Sequence, residues 1–340
     1  MLNVVDRSKF LCFSLAAVVI AGACSEPAPP PEPAVKTAEA RTQWYQDCWQ
    51  SFNDKAWDKF QNCYAENAVS ESVDAMQPAA TGRAAIMERD KTEATSFPDR
   101  RGEVRMIFGN GEHVASIALY TGTNTAPLPP GPDGKSMPAT SKSIGFLIGH
   151  TLELDPTGSF GVRDAAYVDE GTMMAQLGIS PAPARPVEKP SGVKTMVFIA
   201  KNDDAEAANL AAARKLFDTV NAHDLKAITA MTPDDYKLIE VARPGDMGKK
   251  ESLAGTKEML GAFPDVKITP SKMWAAREYV IVEGTFEGTN TGDLPSMGLK
   301  KTGKRVSGRF FEVMRFENGQ CKEDWLFYNG AAFARQLGVQ

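Results

Sequence analysis

Glu323-Asp324-Trp325-Leu326-Phe327-Tyr328-Asn329, followed by Gln336-Leu337-Gly338, occurs in a second, earlier version in this chain of 340 residues. That version is Arg163-Asp164-Ala165-Ala166-Tyr167-Val168-Asp169, followed by Gln176-Leu177-Gly178. In both, an Asp (Asp164, Asp324) stands five residues before a polar residue (Asp169, Asn329), and Gln-Leu-Gly begins seven residues after it. Upstream landmarks repeat in the same order. Phe97-Pro98-Asp99 returns as Phe263-Pro264-Asp265, and Gly122-Thr123-Asn124-Thr125 as Gly288-Thr289-Asn290-Thr291. The offsets are 166, 166 and then 160 residues, a drift that altered loop lengths after a duplication explain. A period this long describes two domains and not a solenoid.

Outward from the repeats, the N-terminus reads as an export signal. Arg7 and Lys9 precede an apolar run from Phe10 to Ala23. A bilayer needs about 20 residues, so this run is a secretory signal and not a span. It ends in Ala21-Gly22-Ala23-Cys24, which resembles a bacterial lipoprotein cleavage site. The expectation is a signal peptide over 1–23 and a lipidated Cys24 on a tether over 24–37; the alternative is an ordinary signal peptide cut nearby. The tether is mostly Pro and Ala from Glu26 to Val35, a composition that runs extended and buries nothing. Ser25 rather than Asp after Cys24 resembles an outer-membrane address, which implies a cell-envelope lipoprotein facing the periplasm.

The chain is 43% apolar and 24% charged with net charge −5, which fits a globular protein and excludes nucleic-acid binding by charge. Cys48 and Cys63 fall on consecutive predicted helices. They form either a disulfide joining a helical hairpin or two buried thiols. No Cys/His spacing suggests a metal, and no phosphate loop or Ser-His-Asp order stands out, so no cofactor is expected.

Repeat one is placed at 38–180. Tyr45, Cys48, Trp49 and Phe52 form one helical stripe; a second helix carries Trp57, Phe60 and Tyr64; a third runs from Arg83 to Ser96 after Gly82. Four strands follow: one through Val104, Met106 and Phe108, then His113 to Thr121, Ser143 to Leu154 and Val162 to Asp169. A Pro-rich linker over 181–192 leads to repeat two at 193–340. That repeat opens with an extra strand, Val193 to Lys201, and two helices. A third helix from Gly255 to Phe263 is about two turns shorter than its counterpart. A four-strand meander ends the chain. Helices followed by an antiparallel sheet make an α+β fold.

Each repeat resembles a SnoaL-like polyketide cyclase (ester cyclase) domain of the nuclear transport factor 2-like superfamily. The residues carrying the resemblance are the helix-ending Asn53 and Asn221, Gly82 and Gly255 before the third helix, the two Phe-Pro-Asp and Gly-Thr-Asn-Thr words, and Trp325, Asn329 and Gln336-Leu337-Gly338. The resemblance implies a cone, a curved antiparallel sheet wrapped around helices with an apolar pocket inside. It also implies an aldol-type ring closure with an Asp near the end of the last strand as acid/base. That role falls on Asp169, and repeat two has Asn329 there; where the family often has His after Gly-Thr, both repeats have Asn.

Strand alternation puts Arg163, Ala165, Tyr167 and Asp169 on one face, and Glu323, Trp325, Phe327 and Asn329 on the matching one. Their aromatic content suggests the pocket side. The expected catalytic residues are Asp169 and His150, and the expected ligand-binding residues are Tyr167, Tyr120, Asn124, Asn290, Trp325, Phe327 and Asn329; the alternatives are a packed or hydrogen-bonded structural role for His150 and a core role for aromatics such as Tyr120. Asp169 could equally cap the terminal helix. His113 and His223 are expected in solvent, and Glu240 at the surface. Two function classes follow: a small apolar carbonyl compound processed by proton transfer in repeat one, or a non-catalytic lipoprotein holding apolar ligands or a partner. Sheet-to-sheet pairing of the repeats as an internal pseudo-dimer implies a monomer.

Overall fold

The computed structural model describes residues 36–131 and 134–339; the apolar stretch and Cys24 lie outside the described residues. No helix among the described residues is long and apolar enough to cross a membrane. Repeat one runs α1 (Ala38–Asn53), α2 (Trp57–Phe60), β1 (Tyr64–Ser72), β2 (Ala80–Thr81), α3 (Arg83–Ser96), β3 (Arg101–Gly109), β4 (His113–Thr123), β5 (Ser143–Leu154), β6 (Gly161–Tyr167) and α4 (Glu170–Gln176). Then come β7 (Met196–Ile199), α5 (Asp204–Asn221), α6 (Leu225–Met231), β8 (Lys237–Glu240), β9 (Met247–Gly248), α7 (Lys249–Ala262), β10 (Lys267–Ala276), β11 (Tyr279–Thr289), β12 (Arg305–Glu317), β13 (Gln320–Phe327) and α8 (Gly330–Leu337). The architecture is α+β. One sheet has the order β2-β1-β6-β5-β4-β3-β7 and the other β10-β11-β12-β13-β8-β9.

The repeated words are the joints of this fold. The side chain of Asn53 donates to Gly102 O at 2.9 Å and accepts from Gly102 N at 2.8 Å, pinning the end of α1 to β3. Asn221 does the same to Ile268 on β10, both bonds 2.8 Å. Asp99 accepts from the Thr123 backbone and hydroxyl at 2.6 and 2.7 Å, and Asp265 from Thr289 at the same distances. Gln176 bonds Gly145 through both ends of its amide, and Gln336 likewise bonds Ser307. The adjoining Leu177 and Leu337 are buried, and Gly178 and Gly338 take the left-handed conformation (φ 69° and 84°) that ends each last helix. These sites must recur in any copy that closes the same way.

Three expectations are corrected. Tyr64 starts a strand rather than ending a helix. The polar sequence of β1 conceals this, because its buried Ser70 is satisfied by hydrogen bonds and not by apolar contact. The third helices are equal, 14 residues each, and Gly248 rather than Gly255 precedes α7. The extra strand β7 joins the sheet of repeat one, pairing parallel with β3 from Met106–Met196 to Gly109–Ile199.

Each sheet has a helix-covered face. The opposite faces of the two sheets meet each other. Phe108, Ile117, Ala165 and Tyr167 of repeat one form one core with Tyr279, Ile281, Phe311, Val313 and Phe327 of repeat two. Around it, Glu71 takes a two-pronged ion pair from Arg309 (2.9 and 2.7 Å), and Lys272 meets Glu153 at 2.6 Å. Thr151 donates to Glu283 at 2.5 Å. Complete burial of one such aromatic contributes about 1.5–3 kcal/mol, so this seam is a principal stabilising feature.

Candidate functional sites on the helix-covered faces

Alternation along β6 turns Asp164 away from the seam, toward α1. The register pairs His150 of β5 with Ala166, one step diagonal to Asp164. His150 Nε2 lies 2.5 Å from Asp164 Oδ1. The other ring nitrogen, Nδ1, shares a 2.8 Å hydrogen bond with the Tyr45 hydroxyl, which shares another of 2.7 Å with Ser116 Oγ. Asp164 Oδ2 accepts from Tyr64 and Ser70, both at 2.8 Å, and Arg89 donates to Ser70 Oγ at 2.8 Å. Burial alone would raise the Asp164 carboxyl, but the neighbouring His150 charge and these hydrogen bonds hold it down, at about 2. Burial drives the Tyr45 and Tyr64 hydroxyls far above the usual phenol range, so both remain neutral.

The result is a continuous line, Ser116 to Tyr45 to His150 to Asp164, inside an aromatic shell. The Trp49 ring sits 5.7 Å from the imidazole and Phe52 follows at 5.5 Å from Trp49. An imidazole anchored by a permanently ionised carboxylate can take up a proton and return it. The disulfide Cys48–Cys63 ties α1, which brings Tyr45 and Trp49, to the turn before β1, which brings Tyr64.

Repeat two replaces this pair. Glu312 stands opposite Leu326 and Asp324 opposite Met314, the register positions of His150 and Asp164. Tyr236 donates to Asp324 Oδ2 at 3.0 Å. Both carboxyls are buried, and burial raises both: Asp324 to about 6, and Glu312 well above its usual range, Asp324 adding repulsion. Burial and mutual repulsion of this kind favour a proton on the pair, and among the described residues no cation pairs with either carboxyl.

The other expected residues go elsewhere. Asp169 is the N-cap of α4, accepting from Gly171 N at 3.3 Å and Thr172 N at 2.8 Å, and it also accepts from Gly330 N of repeat two at 2.9 Å. Asn329 caps α8 through Ala332 N at 3.1 Å and donates to Glu170 at 3.0 Å. Tyr167, Trp325 and Phe327 line the seam instead of a pocket, because their face is the one the two sheets share. Asn124 and Asn290 are fully buried, their amides spent on their own loops: Asn124 on Ala126 O and Thr140 N, Asn290 on Gly292 O and Thr302 N. Tyr120 does lie on the helix-covered face, its ring 6.5 Å from Phe52 and 6.2 Å from Phe146. Glu240 is buried and held by Arg243 at 2.8 Å and Tyr328 at 2.5 Å. His113 is half-buried, and burial with nearby Lys272 keeps it below its usual range. His223 takes a left-handed backbone (φ 57°) just before the Asp224 cap.

Sequence reading missed Asp164, Ser116, Tyr64 and Arg89 as site residues. Asp164 and Asp324 were visible as the only acid common to the two quoted strands. Their parity, opposite to that of Tyr167, was the signal that separates them from the seam.

A family profile described as SnoaL-like polyketide cyclase matches residues 39–177 and 211–337. Among solved structures, AclR from Streptomyces galilaeus, a candidate hydroxylase, is 25% identical with TM-score 0.36 over 39% of this chain and 82% of its own. A candidate SnoaL-like polyketide cyclase from Jannaschia sp. CCS1 is 17% identical, with TM-score 0.38 over 41% of this chain and 98% of its own. IdmH from Streptomyces antibioticus, a candidate polyketide cyclase, is 19% identical, with TM-score 0.34 over 38% and 99%. A search of curated proteins gave no match.

Proposed function

The chain belongs to the SnoaL-like polyketide cyclase family in both of its repeats, and from that membership we propose that repeat one moves a proton on a small apolar carbonyl compound while repeat two serves as its non-catalytic partner. The observation that carries this reading is the buried His150–Asp164 contact of 2.5 Å. His150 is the base in this scheme and Asp164 orients it. Tyr45, hydrogen-bonded on one side to Ser116, supplies the relay to the second ring nitrogen. The surrounding Trp49, Phe52 and Tyr120 suit an apolar substrate.

A second reading, a non-catalytic ligand- or partner-binding lipoprotein, draws on repeat two. Glu312 there replaces His150, and a proton shared between two acids is a poor base near neutral pH. For either reading we place the protein in the cell envelope as a monomer, anchored by a lipid on Cys24 at the periplasmic side of the outer membrane. The Cys48–Cys63 disulfide suits an oxidising compartment. Cys24→Ser should leave the protein unprocessed or release it from membranes; maturation and membrane fractionation unchanged in that variant would refute the anchor.

The catalytic proposal is tested by deuterium exchange at the α-carbon of a small apolar ketone such as 1-indanone, followed by NMR in D2O. The fragment from Thr37 should accelerate exchange. His150→Gln should lower the enzyme-dependent rate by about 10²–10⁴-fold, and Asp169→Asn should leave it within about twofold, since Asn is as good an N-cap as Asp. No acceleration, or full rate in His150→Gln, rejects the scheme.

A further inference from the structure

A second charged group is sealed into repeat one. Arg100 follows Phe97-Pro98-Asp99 and is 1% exposed, the largest of the fully buried side chains. Its guanidinium lies over the Phe52 ring, Cζ 4.3 Å from the centroid, and 5.6 Å from that of Trp57. Only Nη1 has an acidic partner, Glu93 Oε2 at 3.1 Å, and that carboxylate is partly in solvent. Nε and Nη2 are buried without a hydrogen-bond acceptor. The Tyr120 hydroxyl, raised by burial, is drawn back by the Arg100 charge and by a hydrogen-bonding approach to the guanidinium, yet neither Nε nor Nη2 has an aligned acceptor.

The pair left over is chemically specific. Nε–H and one Nη2–H point the same way along one edge of the planar group, spaced to meet the two oxygens of one carboxylate. Stacking against Phe52 covers a face of the guanidinium and leaves this edge usable. A buried charged donor with nothing to donate to costs free energy, so a fold that keeps two of them has them directed at something. Repeat two has Val266 at the corresponding place after Phe263-Pro264-Asp265, so the feature is peculiar to repeat one. A surface groove of about 490 Å³ along α2 and α3 is lined by Trp57, by the cations Arg83 and Lys91 and by the acids Asp58, Glu66 and Glu88, and Trp57 borders both this groove and the guanidinium.

We propose that the Arg100 edge, flanked by Phe52, Trp57 and Tyr120, is a binding site for the carboxylate of a flat, apolar organic acid that reaches it from the groove. The site rests on Arg100 and its neighbours and stands whether or not His150 moves a proton.

Isothermal titration of the full chain with 1-naphthoate, 1-naphthamide and inorganic phosphate tests it. Naphthoate should bind saturably, at least about tenfold tighter than the isosteric neutral amide, because only the anion engages both N–H groups. Arg100→Gln should abolish that preference, Arg100→Lys should retain part of it through charge alone, and His150→Gln should leave it intact. Equal affinity for acid and amide, no binding of naphthoate, phosphate binding as tightly as naphthoate, or an undiminished preference in Arg100→Gln each overturns the proposal. If Arg100→Gln does not fold, the ¹⁵Nε resonance of Arg100 in the unaltered protein decides: it should move as naphthoate is added, and an unmoved resonance overturns the proposal.

Discussion

Tyr167 of the first repeat lies stacked on Phe311 of the second, ring centroids 5.5 Å apart and planes 29° from parallel. Both rings are buried in the core the two sheets share. The contact exists because β5 offers Gly149 beside it: a Cβ built there would stand 2.3 Å from Phe311 and 2.9 Å from Phe327. The missing side chain is what allows the two sheets to close.

Gly149→Leu should therefore force the sheets apart. Overpacking of this kind costs about 1–3 kcal/mol, and each kcal/mol lowers the Tm of a large domain by about 2–4 °C. Thermal melting by circular dichroism measures the loss. A Tm equal to that of the parent would mean the seam is looser than its contacts indicate.

Asp169→Ala should cost stability and spare chemistry. The loss of an N-cap is worth about 0.5–2 kcal/mol, and here the Gly330 N–H of the other repeat also loses its acceptor. Urea unfolding should show a lower midpoint, while the ketone exchange rate per folded molecule stays unchanged. A selective loss of exchange would return Asp169 to the chemistry.

The Glu312–Asp324 pair predicts a pH dependence of definite sign. Asp324 is raised to about 6 in the folded protein from its ordinary value, so the folded state binds more protons than the unfolded one between about pH 4 and 6. The stability it contributes is complete below that window and is lost as pH rises through it. Glu312→Gln should remove the share of this fall that Glu312 itself contributes and stabilise the protein relative to the parent above pH 6, while the share set by burial of Asp324 remains. Asp164, held at about 2, acts oppositely: its contribution is present above about pH 4 and disappears as pH falls toward 2. Urea midpoints from pH 3 to 8 for the parent and Glu312→Gln resolve the two; parallel curves above pH 4 would show that the acids do not share a proton.

Reduction of Cys48–Cys63, whose partners are 15 residues apart, should cost about 3 kcal/mol by the loop-entropy estimate. Because the bridge also sets Tyr45 against His150, the double Ser variant should lose ketone exchange before it loses its fold. Equal urea midpoints with and without reductant would count against a structural bridge.

The fold was legible because duplication printed each joint twice. The Asn at each helix end, Phe-Pro-Asp, Gly-Thr-Asn and Gln-Leu-Gly all close the backbone on itself, and such words survive because few residues can do their work. The same property misled the assignment of site residues. Asn124, Asn290, Asp169 and Asn329 recur for reasons of closure, and recurrence alone does not distinguish a joint from a ligand contact. The face assignment failed for a different reason. Alternation identifies which residues share a face and not what covers that face; Tyr167 and Phe327 do point to one side of their sheets, and a second sheet lies against that side in place of a pocket. His150, placed by strand position alone, needed Asp164 from the next strand, a cross-strand diagonal that only the register reveals. β1 was invisible because its sequence is mostly polar and only Tyr64, Ala68 and Ser70 of it are buried.

β7 makes the first sheet depend on residues beyond its own repeat. It is the edge of that sheet, yet it is encoded beyond the linker, immediately ahead of α5. A first repeat folded without it would leave the β3 edge unpaired, and such edges recruit other chains. The hazard lasts until residues 196–199 dock. Halves severed at the linker would then differ in fate: the first alone should be prone to aggregation, and the second would carry a strand with no sheet to join.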